Sequence, residues 1–299
     1  MQKIATWISA FRLRTLPLAF AIVLTSAAVA LQDSCFSAPI FILELTTTLF
    51  LQILSNLSND YGDTVHGADS ANRVGPQRAV QSGAISLSSM RHAMLVFSIL
   101  SFISGVALLC VGYNVIGVQG VATLLVIGLL CIAAAITYTS GKHPYGYAGL
   151  GDLSVFIFFG LVGVAGCYYL HCGSINPQIF ILATAIGLLS VGVLNMNNIR
   201  DMESDRLAGK RSIPLIIGRS NAKVYQFVTI VLAILLMVTY IVLIGTPIQS
   251  ISLIAAIPLA SNAFRCLHND SHSFFDSQLK LISISTFLFS LIFLITSIL

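Results

Sequence analysis

Two polar stretches interrupt an otherwise apolar chain. The first reads Asn56-Leu57-Ser58-Asn59-Asp60-Tyr61-Gly62-Asp63, with Asp69 just beyond it. The second reads Asn195-Met196-Asn197-Asn198-Ile199-Arg200-Asp201-Met202-Glu203-Ser204-Asp205. Six of the chain's 11 carboxylates lie in or beside these two places. On a helix, positions three, four and seven apart share a face. Asn56, Asn59, Asp60 and Asp63 therefore form one stripe, and Asn198, Asp201 and Asp205 another. Brought together, Asp60, Asp63, Asp201 and Asp205 would repel one another unless cations came between them. Donor sets made only of oxygen favour Mg²⁺, which keeps waters and shares its shell with substrate phosphates. The chemistry these residues suit is the holding of a metal-bound pyrophosphate. Flanking cations, Arg73 and Arg78 after the first stretch and Lys210 and Arg211 after the second, suit the same anion. The plainer alternative has the acids cap helices and pair with Arg200, Arg206 or Lys210. Two like stripes at equivalent helix ends on one side weigh against it.

The elements that position these stripes are membrane helices. The 299 residues are 57% hydrophobic and 9% charged, with a mean hydropathy of +0.92. A soluble domain carries roughly 25% charged residues. About 20 apolar residues cross a bilayer, and nine runs qualify, near 15–32, 39–58, 92–112, 118–138, 152–171, 178–197, 223–244, 248–265 and 280–298. The expected fold is all-α, one polytopic transmembrane domain over residues 1–299. The run at 15–32 also has the outline of a cleaved signal peptide, but Pro17 favours a retained first helix.

The connections alternate. Those after the first, third, fifth and seventh runs carry no Lys or Arg, and all 15 basic residues fall on the other side. The positive-inside rule places the N-terminus and the basic loops in the cytoplasm and the C-terminus outside. Both acidic stretches then face the cytoplasm. The basic residues lie in short loops beside acids, which disfavours a nucleic-acid partner. The six cysteines show no paired spacing of a metal or redox site. Cys35 and Cys172 fall on the outer side, where they could meet; free thiols are the expectation and a structural disulfide the lesser alternative.

Read together, these stretches resemble the two aspartate-rich motifs of the UbiA superfamily of intramembrane prenyltransferases. Supporting markers are Arg12-Leu13-Arg14-Thr15-Leu16-Pro17, Arg73-Val74-Gly75-Pro76, Tyr145-Gly146-Tyr147-Ala148-Gly149-Leu150-Gly151-Asp152 and Phe158-Phe159-Gly160. In detail they are similar to the branch that prenylates 1,4-dihydroxy-2-naphthoate in menaquinone biosynthesis, in a bacterial cell membrane. The chain departs from the family pattern at Gly67, where a third acid is usual, and at Asn198, where the second motif often begins with Asp. The resemblance implies two Mg²⁺ ions bridging a polyprenyl diphosphate. It also implies ionisation to an allylic cation, attack by an aromatic acid with loss of CO₂, and a dry cavity with the prenyl tail in lipid. An aromatic acid needs a cation and hydrogen-bond donors, so Lys142, Tyr145, Tyr147 and Asp152 are candidates for the acceptor site. For the tyrosines an interfacial aromatic belt competes, and for Asp152 a helix cap. Other acceptors (4-hydroxybenzoate or a porphyrin type) are the enzymatic alternatives, and a cation-coupled transporter the alternative from another class. His268 and His272, with Asp270 and Asp276 nearby, mimic a metal site but read as a solvated loop.

Overall fold

The computed structural model describes residues 2–68 and 78–299, and among them there are helices and no strand. Asp69, Arg73 and the Arg73-Val74-Gly75-Pro76 marker lie outside the described residues. In chain order the helices are α1 (Gln2–Ala10), α2 (Leu16–Gln32), α3 (Ala38–Val65), α4 (Leu87–Thr137), α5 (Gly151–Val155), α6 (Gly163–Cys172), α7 (Ile179–Arg200), α8 (Met202–Leu207), α9 (Ile213–Ile217), α10 (Arg219–Leu243), α11 (Ala256–Leu267) and α12 (His272–Ile298). A π-helical turn, Phe156–Val162, joins α5 to α6 as one span, and the 3-10 turn Pro247–Ala255 leads into α11.

Seven helices among the described residues are long and apolar enough to cross a membrane. One of them, α4, is two spans. Its backbone breaks at Gly117 (φ 65°, ψ −178°), a left-handed conformation that glycine adopts without a side-chain clash. Met90 and Ile132 would be about 63 Å apart on an unbroken helix, yet both pack in one cluster with Ile53 and Leu57. The helix therefore folds back on itself. Dividing α4 at Gly117 and adding the shorter apolar α2 gives the nine runs expected. The chain is an all-α, multi-pass membrane protein.

The central post is α7, the most buried span. Around it α2, α6, α10, α11 and α12 pack the main core, with Ile186, Leu189, Tyr240, Phe289 and Phe293 fully interior. Between α7 and α10–α12 runs a ladder of buried amides. Asn195 donates to Gln226 (2.9 Å), Gln226 to Asn262 (3.2 Å) and Asn262 to Gln278 (3.1 Å). In hydrocarbon each polar group needs a partner, so the ladder fixes the rotation of α7 against its neighbours. The C-terminal ends of α2 and α6 are tied by a Cys35–Cys172 disulfide, with Cα atoms 5.1 Å apart.

Candidate active site

The two polar stretches meet where α3 and α7–α8 end on the same side. Asp63, on the last turn of α3, is buried and held by three donors. Arg78 Nη1 approaches to 2.6 Å, Tyr147 donates its hydroxyl at 2.8 Å, and Lys210 Nζ lies at 3.2 Å. The same Lys210 Nζ is 3.1 Å from Asp205. One ammonium thus bridges the first motif to the second. Burial pushes the Asp205 carboxyl up to about 6, with Lys210 opposing and Asp201 and Asp63 adding to the rise. Burial pulls Lys210 down, but Asp63 and Asp205 outweigh it and hold the ammonium protonated. Burial and the charge of Asp63 raise the Tyr147 hydroxyl, so it stays a donor.

This meeting depends on Gly62. A Cβ there would stand 2.6 Å from Thr139 Oγ1 and closer still to the Thr139 carbonyl. Without it, α3 presses against the end of α4, and Thr139 donates to the Ser58 carbonyl at 2.8 Å. That contact delivers the Tyr145–Ala148 turn, and with it Tyr147, to Asp63.

The remaining residues of the stripes divide by what they touch. Asn59 and Asn198 face the cavity described below, and Asn59 Oδ1 and Asp205 Oδ2 are buried oxygens with no hydrogen-bond partner. Asp60 points the other way, accepting from the amides of Ala79 (3.2 Å) and Val80 (3.4 Å). Asn56 donates to the Phe11 carbonyl and to Thr15 Oγ1, clamping the turn that carries Arg12 to the cavity wall. Asp201 is paired with both ends of the Arg200 guanidinium (2.7 and 2.8 Å), and Arg200 also reaches Asp276 (2.8 Å) and Asn197. His272 meets the Arg200 carbonyl at 3.1 Å. Asp276 and His272 thus brace the second motif, where a solvated loop is the sequence expectation. Asp270 keeps to that expectation, exposed and paired with Lys223.

Among the described residues no three acids, histidines or cysteines form a ready-made metal cage. The donor set nevertheless fits Mg²⁺, which takes one or two protein carboxylates and completes its shell with water and phosphate. Asn59 Oδ1 and Asp205 Oδ2 are buried oxygens left free to ligate.

Of the proposed anion partners, Arg78 and Lys210 line the cavity, while the Arg211 side chain is exposed and only its backbone amide bonds, to the Tyr147 carbonyl. Lys142 is exposed and lies outside the cavity lining. Tyr145 lines the cavity and is held by the Ala134 carbonyl and Ser154 (both 3.0 Å). Asp152 accepts from Tyr225 (3.0 Å) and, with Tyr138, Tyr147, Asn198 and Lys210, lines a side crevice of ≈ 20 Å³. That is room for about one water. An aromatic ring must therefore enter the main cavity.

The main cavity, ≈ 750 Å³, runs from these charges into the membrane interior. One face of α3 lines its length, from Asp63 and Asn59 through Ser55, Gln52, Leu51 and Thr48 to Glu44. The facing walls are Leu, Ile, Val and Phe from α4, α6 and the π turn. Phe102, Leu125 and Leu129 line it and are also exposed on the outer surface of α4, which marks a lateral mouth. Glu44 and Arg12 are charged lining residues that the motifs do not contain. The signal for Glu44 is a lone acid in an apolar run; that for Arg12 is its left-handed backbone (φ 51°) beside the cavity.

The chain is similar to known proteins. Residues 19–293 match the model of the UbiA prenyltransferase family. A 1,4-dihydroxy-2-naphthoate octaprenyltransferase of Escherichia coli (strain K12) is 42% identical over 226 residues, 76% of this chain and 73% of that one. The protein of the same name from Haemophilus influenzae is 39% identical, covering 86% of this chain and 84% of its own. Among solved structures, a UbiA homolog from Aeropyrum pernix K1 superposes with a TM-score of 0.67 at 19% identity, over 92% of this chain and 94% of that one. A homolog from Archaeoglobus fulgidus, bound to GPP and Mg²⁺, superposes with a TM-score of 0.61 at 16% identity, over 95% and 99%.

Proposed function

The chain belongs to the UbiA prenyltransferase family, and from that premise we propose how this site performs the family's reaction. The protein is a membrane enzyme that transfers a polyprenyl group from its diphosphate to 1,4-dihydroxy-2-naphthoate with loss of CO₂, a step of menaquinone biosynthesis. The observation that carries the site assignment is the Lys210 ammonium bridging Asp63 and Asp205 at the charged end of a largely apolar cavity.

In this reading the diphosphate enters among Arg12, Arg78 and Lys210, and the prenyl tail lies along the cavity. Asn59, Asp63, Asn198 and Asp205 would hold Mg²⁺, which would supply neutralising charge for the departing diphosphate. The allylic C–O bond breaks and its electron pair leaves with the diphosphate. The ring carbon bearing the carboxylate attacks the allylic carbon; CO₂ departs and returns its bonding pair to the ring. The apolar walls exclude water from the cation. Tyr145, on the cavity wall, orients the ring of the acceptor. Tyr147 and Arg78 hold Asp63 ionised and aimed. Asp60, Asn56 and Asp201 act through the backbone and through Arg200, positioning the elements that carry the ligands.

The basic residues support a charged end in the cytoplasm. The disulfide at the opposite ends of α2 and α6 supports an outer, oxidising compartment there.

The test is turnover by purified protein with Mg²⁺, octaprenyl diphosphate and 1,4-dihydroxy-2-naphthoate, read by mass spectrometry. The expected product is the prenylated, decarboxylated quinol, absent after chelation and absent with 4-hydroxybenzoate. Product with 4-hydroxybenzoate alone would keep the mechanism and discard this acceptor.

A further inference from the structure

The cavity wall is not hydrocarbon throughout. Toward its far end Glu44 is 1% exposed, and both its carboxylate oxygens lack a hydrogen bond. His171 Nε2 stands 3.3 Å away with its ring fully buried. The other ring nitrogen, Nδ1, accepts from the Ser37 amide at 3.1 Å, which leaves the proton of a neutral ring on Nε2 and aimed at Glu44. Thr47, one turn further along the same cavity stripe, has a buried hydroxyl oxygen that is likewise unpartnered. Beyond Glu44 the wall is apolar again: Ile40 and Ile116 pack with the lining residues Leu108, Leu109 and Leu170, and the lining continues to Tyr169, Ile175 and Phe180. Glu44 and Asp63 lie on one helix, about 28 Å apart along its axis.

We propose that Glu44, paired with His171, is a polar stop that divides the cavity and determines how a long prenyl chain runs through it. This rests on the reading of the cavity as the prenyl site. A chain of few isoprene units ends short of Glu44 and touches only the apolar wall and the inner part of the α3 stripe. A longer chain reaches the buried carboxyl–imidazole pair. Hydrocarbon laid against buried polar groups gains nothing. The tail turns instead and leaves between the two arms of α4, past Phe102, Leu125 and Leu129, into lipid. Glu44 is thus a specificity-determining residue, acting on chain length and leaving the chemistry at Asp63 untouched.

The experiment compares kcat/KM for farnesyl and octaprenyl diphosphate in wild type, Glu44→Leu and Thr47→Val, with 1,4-dihydroxy-2-naphthoate and Mg²⁺ in lipid nanodiscs. The expected result is a rise in the octaprenyl-to-farnesyl ratio of about tenfold in Glu44→Leu, the order set by removing one buried polar group from an apolar surface. It should arise in KM for the octaprenyl substrate, with farnesyl turnover unchanged. Thr47→Val, nearly isosteric and safe for folding, should shift the ratio the same way by less. An unchanged ratio in both variants, or parallel losses on both substrates, overturns the polar stop while wild-type turnover keeps the prenyl-transfer reading. If wild type turns over neither diphosphate, that reading falls and this one with it.

Discussion

Lys210 sits where two buried carboxylates would otherwise face each other, and that position makes it replaceable by a divalent cation. Its ammonium serves Asp63 at 3.2 Å and Asp205 at 3.1 Å. Lys210→Met should lower the Tm of the metal-free protein, because it leaves Asp205 without its cation; breaking such a pair costs about 1–3 kcal/mol. Mg²⁺ should then restore more stability to the variant than it adds to wild type. The measurement is thermal unfolding with and without Mg²⁺, and equal increments in both proteins would show that ammonium and metal do not share this place. KM for the diphosphate should rise about tenfold with the loss of one charge-assisted contact. Much of this was legible in the sequence, since helical spacing put Asp60 and Asp63 on one stripe. Their division of labour was not. Asp60 finds the amides of Ala79 and Val80, and Asp201 finds Arg200, which in turn finds Asp276. Spacing within one helix carries no information about which partners arrive from a distant loop.

At the scale of elements, the catalytic geometry is a matter of how close α3 comes to the end of α4. Gly62 sets that distance, and the segment of chain opposite is tied to the Tyr145–Ala148 turn, since the Gly146 amide donates to the Tyr138 carbonyl at 3.0 Å. Gly62→Ala should therefore cost about 1–3 kcal/mol as an overpacked contact, and it should cost activity out of proportion to stability. The turn that moves carries Tyr147, which holds Asp63. Thermal unfolding and product assays on the same preparation test this; a variant that loses stability but keeps full turnover would separate the contact from the site. Runs of apolar residues announced the helices themselves, with their approximate limits. The hairpin inside α4 was legible as two runs, 92–112 and 118–138, although the helix is continuous except at Gly117. The close approach at Gly62 was not, because a glycine inside a polar motif looks the same whether it makes a turn or admits a neighbour.

Over the whole molecule, charge and redox chemistry point the same way along the membrane normal. The basic residues gather at the end that holds Asp63 and Lys210, and the Cys35–Cys172 disulfide closes the other. The alternation of basic and uncharged loops predicts the orientation. The pairing of the two cysteines goes against the expectation of free thiols, because it requires the C-terminal ends of α2 and α6 to be neighbours. That contact spans 137 residues of chain, and a bridge across so long a loop stabilises by about 2–4 kcal/mol, mainly by restricting the unfolded chain. Cys35→Ser should lower the Tm, and a reductant should lower wild type to the same value while leaving the variant unmoved. The two cysteines also report on orientation. In intact cells treated with reductant, a membrane-impermeant maleimide should label Cys35 and Cys172, and a variant with both replaced by serine should lose that labelling. Labelling that appears only after the membrane is broken open would turn the molecule over, placing Asp63, Lys210 and the mouth for the diphosphate on the outer face.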